Sequence, residues 1–169
     1  MSDQPIQQPD ASLPMGPTDL PIIGIEEYVA LPDWGIKHLR AKTDTGARTS
    51  AIDAYDIQEL DDNRVRFMVV YSRKHPEHRR EVVAEITRRA KVKSSTGHQH
   101  ERLFVTTTLK VGPVEKTIEV SLISRHKMKA RMLIGRMALA GDFLVDPQRD
   151  RLLTKRPVRR KKKKRKPKT

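Results

Sequence analysis

The sequence predicts an all-β fold, because three observations agree. Short stretches of the 169-residue chain alternate apolar and polar residues, the pattern of a strand buried on one face. Clusters of Gly, Pro, Asp, Asn and Ser separate these stretches and are typical of turns. No stretch before residue 127 has a convincing helical period. Many short strands separated by turns favour a β-barrel or a β-sandwich.

The first half of the chain contains three strand patterns. A strand is predicted at 21–25, and a turn follows at 32–35. A second strand over 39–43 alternates apolar and basic residues, and a third spans 64–71. Residues 72–80 are strongly polar and are predicted to form an exposed loop.

The second half begins with a strand at 81–86, which runs into a basic patch at 88–93. Residues 94–97 have the composition of a hairpin turn. Apolar residues at alternate positions then predict a long strand over 103–111 and another over 118–122.

The last part of the body contains the single predicted helix. A short apolar strand at 132–136 precedes one or two helical turns at 137–140. Gly141 is the expected C-terminal cap, because glycine readily takes the left-handed conformation found there. A final strand is predicted at 143–145.

Composition indicates that both ends of the chain lie outside the domain. The apolar fraction of 36% and the aromatic fraction of 4% are low for a fully globular chain. Residues 1–20 are rich in Gln, Pro and Asp and are predicted to be a disordered leader. Residues 155–169 are a polybasic tail with eleven Lys or Arg between 155 and 168, and their mutual repulsion predicts disorder. The domain is therefore expected at 21–154.

A chemically suggestive loop follows the strand over 39–43. Asp44, Thr45 and Gly46 supply a carboxylate, a hydroxyl and a residue that allows a sharp turn. An aspartic protease presents its catalytic aspartate in this way: the strand delivers the carboxylate to a cleft, the threonine anchors the loop and the glycine permits close approach. Asp and Gly also favour turns, so an ordinary strand-to-turn junction is the alternative.

A second motif, Leu133-Ile134-Gly135-Arg136, follows about ninety residues later and is itself followed by the predicted helix. Together with Asp44-Thr45-Gly46-Ala47 it resembles the retropepsins, which are single-domain aspartic proteases. Residues 42–51, 97–98, 131–136 and 143–147 look like the retropepsin-like family associated with the RimK glutamate ligase. The resemblance covers roughly residues 22–150 and implies a closed barrel of the retropepsin type.

The resemblance implies peptide-bond hydrolysis by two carboxylates that share one proton. The chain has one Asp-Thr-Gly, so such a dyad would need Asp44 from each subunit of a homodimer. The family is linked to glutamate tails on a ribosomal protein, so a substrate with an acidic, polyglutamate tail is expected. The candidate substrate-binding residues are Arg48, Thr49, His98, Arg102 and Arg136; Gly97-His98 belongs either to a flap-like hairpin or to a plain turn.

Arg48 departs from the retropepsin pattern. Retropepsins often have an acid at this position, which pairs with the arginine that follows the later glycine, here Arg136. Two guanidinium groups would repel each other unless Asp53, Asp56 or a bound carboxylate lies between them. Either the subunits associate differently or the arginines bind an acidic substrate, and Arg48 as a plain surface residue is an equal alternative.

Two other functions are weighed against proteolysis. The family has also been labelled an ATP-dependent zinc protease, but no glycine precedes a lysine as a P-loop requires. His100-Glu101 begins a zinc-protease motif whose second histidine is replaced by Phe104, and His75 with His78, or His98 with His100, are read as solvated loop residues. No cofactor and no metal are therefore expected. The other alternative is an RNA- or ribosome-binding protein with an inactive barrel, contacting phosphates through residues 155–168.

The expected location is the cytoplasm. The sequence contains no cysteine, has no signal-peptide pattern at its N-terminus and has no apolar run of membrane-spanning length. Contact with a membrane is not expected.

Overall fold

The computed structural model describes residues 19–72, 75–93, 99–124 and 130–157. Strands dominate this part of the chain, with one 3-10 turn at Pro32–Trp34 and one short helix, α1, at Arg136–Leu139. The strands are β1 Ile22–Gly24, β2 Glu26–Leu31, β3 Ile36–Asp44, β4 Ser50–Glu59, β5 Arg64–Val70, β6 Arg79–Glu85, β7 Arg88–Lys93, β8 Gln99–Val111, β9 Val114–Ile123, β10 Met132–Gly135 and β11 Leu144–Asp146. The all-β prediction is confirmed.

Six strands close into a barrel in the order β10-β3-β2-β8-β9-β4, because β10 pairs with both β3 and β4. The β5–β6 hairpin continues from β4, and β7 pairs with β8. Side chains at alternate positions fill the interior, as the period of a strand requires. Leu39 and Ala41 on β3, Ile52 on β4 and Ile134 on β10 are all fully buried. The closed barrel expected from the resemblance is therefore present.

The arrangement of β10 decides where the candidate site forms. β3 and β4 are joined by the loop at 45–49, and β10 lies between them, parallel to β3 and antiparallel to β4. Met132 is paired with Ala41 on one side and with Ile52 on the other. The end of β10 is thereby placed beneath the loop that begins at Asp44.

The C-terminal segment covers part of β2 that β8 leaves unpaired. The main chain of Ile25 donates to Arg149 and that of Arg151 donates to Glu26, at 2.8 and 2.7 Å. The buried Glu27 carboxylate accepts hydrogen bonds from the main-chain N–H groups of residues 152–154. Thr154 also accepts a bond from the Tyr28 N–H at 2.8 Å. The segment runs along β2 away from the Asp44 end of β3.

Several sequence-based boundaries differ from the structure. No strand was predicted at Ser50–Glu59, because β4 begins with five consecutive buried residues that hide the period-two pattern. The basic patch at 88–93 is strand β7, whose Arg88 and Arg89 pair with Glu119 of β9 and Glu59 of β4. Residues 79–80, predicted as loop, begin β6.

The predicted helix begins one residue earlier than expected, at Arg136. Gly141 follows it with a φ of 83°, in the left-handed region, as a C-terminal cap requires. Most of the leader and the tail, together with Gly97 and His98, lie outside the described residues. Within the described ranges, no helix is long and apolar enough to cross a membrane.

Candidate active site

The carboxylate of Asp44 shapes the loop that follows it. Its Oδ1 atom accepts hydrogen bonds from the main-chain N–H groups of Gly46 and Ala47, at 3.1 and 3.0 Å. An aspartate at the first position of a turn commonly bonds its own main chain in this way. The loop therefore holds the Asp44 side chain at the end of β3, where it is half-buried, while Thr45 and Gly46 are exposed at the tip.

The loop is fastened to the start of α1 through its main chain. The Arg136 N–H donates to the Ala47 carbonyl at 2.8 Å, and the Met137 N–H donates to the Arg48 carbonyl at 3.0 Å. The Arg136 guanidinium donates from Nη1 to the Thr45 carbonyl at 3.0 Å. Thr45 is thus anchored here through its carbonyl oxygen, and Arg136 supports the loop from its outer side.

The close approach of two main chains in this region occurs at Gly135. A Cβ atom at this position would stand 2.4 Å from the Thr49 carbonyl carbon and 2.6 Å from its oxygen, so no side chain fits without a backbone shift. The Gly135 N–H donates to the buried Ser50 hydroxyl at 3.1 Å. At Gly46, by contrast, a Cβ would meet only Asp44 Oδ1, at an ordinary 3.4 Å.

A groove of about 490 Å³ opens beside Asp44. Its floor is one row of residues that are paired across four neighbouring strands: Leu133, Ala51, Ser121 and Phe104. The walls near the loop are formed by Asp44, Ala47, Arg48 and Thr49, and the opposite end by Arg102, Ile123 and Ser124. The Arg88 guanidinium lies 3.6 Å from the centre of the Phe104 ring and holds that end of the floor.

The structure brings four of the sequence-predicted site residues into this one groove: Asp44, Arg48, Thr49 and Arg102. Thr45 and Gly46 stand at the exposed tip of the same loop, Arg136 contacts it from outside, and His98 lies outside the described residues. The sequence reasoning missed the floor residues Phe104, Ser121 and Leu133. The signal for one of them was available, since residues two apart on a strand share a face and Phe104 follows Arg102 by two.

Neither of the two acids considered as a possible screen between Arg48 and Arg136 takes that position. Asp53 is 1% exposed and is paired with Arg131, whose Nη1 atom lies 2.5 Å from Oδ2. Asp56 is exposed, has a φ of 49° and lines a different depression. Among the described residues that line the groove, Asp44 is the one carboxylate, and Arg48 and Arg102 are the two arginines.

The Asp53 cluster belongs to the wall of the barrel. The Tyr55 hydroxyl donates to Asp53 Oδ2 at 2.8 Å and accepts from Arg131 at 2.7 Å. Burial, followed by the bond to Asp53, raises the pKa of Tyr55 above its usual value of 10.0. Asp53 is paired with Ile123, one row beyond the floor, whereas Asp44 is paired with Gly135 on the other side of it. Two same-face steps amount to roughly 13 Å along the strand direction, and β10 lies between the strands that carry the two carboxylates.

The described residues contain no group of three or more His, Cys, Asp or Glu arranged to hold a metal ion. His100-Glu101 lies in β8, within Gln99–Val111. A zinc-protease motif lies on a helix, whereas this segment is a strand. The interpretation of this segment as a strand is confirmed.

Comparisons with known proteins match this chain to a family of aspartic endopeptidases, whereas the similar curated proteins are named as ligases. The sequence profile of a family described as "RimB-like: Retropepsin-like aspartic endopeptidase RimB" matches residues 22–156. Two similar curated proteins, each named "Probable alpha-L-glutamate ligase", come from Shewanella pealeana, 34% identical over 131 residues, and Desulfotalea psychrophila, 35% identical over 134 residues. Each match covers 75% of this chain and 28% of the relative, so the chain spans less than a third of the length of these relatives.

A solved structure is similar as well. It is that of a Legionella pneumophila protein described as having unknown function, with a TM-score of 0.67 and 26% sequence identity. The match covers 79% of this chain and 98% of the other. In that protein, therefore, almost the whole chain matches the barrel described above.

Proposed function

The chain belongs to the RimB-like family of retropepsin-like aspartic endopeptidases, and on this premise we propose that it hydrolyses peptide bonds with Asp44 as a catalytic carboxylate. The observation that carries the proposal is the position of Asp44. Its carboxylate stands at the edge of a groove whose floor is lined by short and apolar side chains. The loop that holds it is fixed by main-chain bonds to α1. A carboxylate held in this way can act on water next to a bound peptide.

Hydrolysis by this route needs a second carboxylate. One carboxylate takes a proton from the attacking water, while the other, protonated, donates a hydrogen bond to the peptide carbonyl oxygen. The water oxygen forms a bond to the carbonyl carbon, the carbon–nitrogen bond then breaks, and the departing nitrogen takes a proton from the dyad. Asp53 does not supply the second group, because it is engaged with Arg131 and lies two rows away. We propose that Asp44 of a second copy supplies it across a two-fold axis.

Exposed apolar side chains on α1 and on the β1–β11 pair support a second copy as the partner. Met137 is 60% exposed, and its main chain is bonded to Arg48. Ile22 and Leu144 are paired between β1 and β11 and are 45% and 41% exposed. Side chains of this kind suit a homodimer contact, which would bring a second carboxylate to a site whose described residues supply only Asp44. The exposed Gly46 presents no Cβ to an approaching chain.

The proposed substrate is a protein with an acidic tail, as on a ribosomal protein modified by glutamate addition. Arg48 and Arg102 line the groove and would attract carboxylates, to which guanidinium groups bind with two parallel hydrogen bonds. The curated relatives carry names that refer to glutamate ligation. An enzyme that removes glutamate residues would act on the product of such a ligase. We place this reaction in the cytoplasm, in keeping with the absence of cysteine.

The experiment compares the full chain with Asp44→Asn, which removes the negative charge at nearly constant shape. Each protein is incubated with a peptide that ends in several glutamates and with a matched peptide that ends in glutamines, and products are identified by mass spectrometry. We expect the wild type to cut the glutamate peptide and the variant to lose the activity by at least about a hundredfold. Equal cleavage by both proteins would overturn the proposal. So would the absence of cleavage by the wild type at protein concentrations at which it forms a stable dimer.

A second candidate function, binding of RNA or ribosomes, rests on the polybasic tail. The tail carries eleven Lys or Arg between 155 and 168 and follows Thr154, which is held at β2 away from the Asp44 end of β3. Deleting residues 155–169 is expected to weaken RNA binding strongly at low salt and to leave peptide cleavage intact. Loss of cleavage on deletion would place the tail in the active site instead.

A further inference from the structure

Lys42 stands on β3 two residues before Asp44, so both side chains project from the same face of the strand. In the sheet, Lys42 is paired with Leu133 of β10, whose side chain belongs to the groove floor. Lys42 therefore continues the floor row by one strand, beyond Leu133. It is exposed, as a residue at the rim of a groove would be.

The acid that lies opposite Lys42 on the next strand already forms a salt bridge with another residue. Glu26 of β2 is paired with Lys42 in the register of the sheet. Its Oε1 atom, however, lies 2.5 Å from the Nε atom of Arg40, and this hydrogen bond raises the pKa of Arg40 above its usual value. Among the described residues, Lys42 has no ion pair or hydrogen bond through its ammonium group. Its positive charge is thus available at the groove rim.

We propose that Lys42 is a specificity-determining residue that binds a carboxylate of the substrate at the β3 end of the groove. The inference rests on the proposed function. It assigns a role to Lys42, which stands at the rim and is not among the residues that line the groove. It makes the groove cationic at both ends, with Lys42 beyond Leu133 and Arg102 beside Phe104.

The dimensions of the floor suit a short acidic stretch. Four strands, from β10 to β8, span three gaps of about 4.8 Å, or about 14 Å in all. An extended peptide advances about 3.3 Å per residue, so about four residues cover the floor. A chain laid along this row would bring acidic side chains near Arg102 at one end and near Lys42 at the other. A neutral side chain at the Lys42 end would lose one charge-assisted bond.

The test uses the full chain with Lys42→Gln, which removes the charge, and Lys42→Arg, which retains it. Lys37→Gln is the matched control, because Lys37 is an exposed lysine at the opposite end of the same strand. For cleavage of the glutamate-tailed peptide, we expect Lys42→Gln to raise KM by about two- to fivefold with little change in kcat. Lys42→Arg and Lys37→Gln should behave like the wild type, and the glutamine-tailed peptide should not respond to any of the three.

Binding separates this inference from the proposed function. In an Asp44→Asn background, a fluorescent glutamate-tailed peptide is titrated by anisotropy with and without Lys42→Gln. A rise in Kd of the same size supports the role of Lys42 even if no variant cleaves the peptide. An unchanged Kd and KM on Lys42→Gln, or an equal effect of Lys37→Gln, would overturn it, since either result leaves Lys42 as an ordinary surface cation.

Discussion

Gly135 lies directly opposite Asp44 in the parallel pairing of β10 with β3, and its Cα packs against the main chain of Thr49 at the far end of the same loop. One residue without a side chain thus lets β10 reach under the loop that carries the carboxylate. The Gly135 N–H is satisfied by the Ser50 hydroxyl, and the Ser121 hydroxyl donates in turn to the Ser50 carbonyl at 3.2 Å. The position of Asp44 therefore depends on strands that are distant in sequence.

Gly135→Ala is expected to destabilise the protein by about 1–3 kcal/mol, because the added methyl would press into the main chain of Thr49 and Ser50. Chemical denaturation measures the loss. Gly46→Ala is the matched control for stability, since its added methyl meets only ordinary contact distances. Equal stability of the Gly135→Ala protein and the wild type would contradict the close packing described here.

Arg136→Gln is expected to lower kcat by about tenfold while leaving KM for the glutamate-tailed peptide nearly unchanged. The reason is that the guanidinium holds the Thr45 carbonyl, so its loss lets the Asp44 loop shift without removing a substrate contact. Arg64→Gln is the control and should have no effect, because it removes only an exposed pair between the start of β5 and Asp62 in the turn before it. A rise in KM at constant kcat would instead assign Arg136 to direct substrate binding, as the sequence suggested.

Asp53→Asn is expected to cost about 3–5 kcal/mol of unfolding free energy, because it leaves the largely buried Arg131 without a compensating charge. Replacing both residues, as Asp53→Asn with Arg131→Met, should recover part of that loss, which a double-mutant cycle measures. Asp62→Asn, at an exposed ion pair, should cost less than about 1 kcal/mol. A loss as small as that of Asp62→Asn would show that the buried Asp53–Arg131 pair does not stabilise the barrel in this way.

The stability of β11 is expected to depend on pH through Asp146. The main-chain N–H of Gln148, followed by the Arg149 side chain, lowers the pKa of this carboxyl below its usual value of 3.8. A carboxyl whose folded-state pKa is lowered stabilises the fold above its unfolded-state pKa, and this contribution is lost as the pH falls through the folded-state value.

Wild type and Asp146→Asn should therefore differ in Tm at pH 7 and converge as the pH falls below about 4. Thermal melts between pH 7 and pH 2.5 check this. A difference in Tm that persists unchanged at the lowest pH would show that the effect of the substitution is not electrostatic.

Much of the fold followed from local pattern alone. Leu39 and Ala41 alternate with polar neighbours, so β3 and its buried face were predictable, and so was the end of the strand at Asp44. The strands that were missed had local patterns that conflicted with their environment. β4 is buried on both faces at its start, and the two arginines of β7 pair with acids on β9 and β4, which no local window contains.

The sequence by itself determined the strand-rich barrel, the Asp44 loop, its later Gly135-Arg136 companion and the uneven distribution of charge. Only the tertiary structure decided that Glu26 pairs with Arg40, which leaves Lys42 at the groove rim. It also decided that Asp53 pairs with Arg131. Finally, it placed Phe104 and Leu133 in the same row of the groove floor. The physical reason is that alternation fixes which face of a strand is buried. Which strands become neighbours, and therefore which charges meet, depends on pairings between segments that are far apart in the chain.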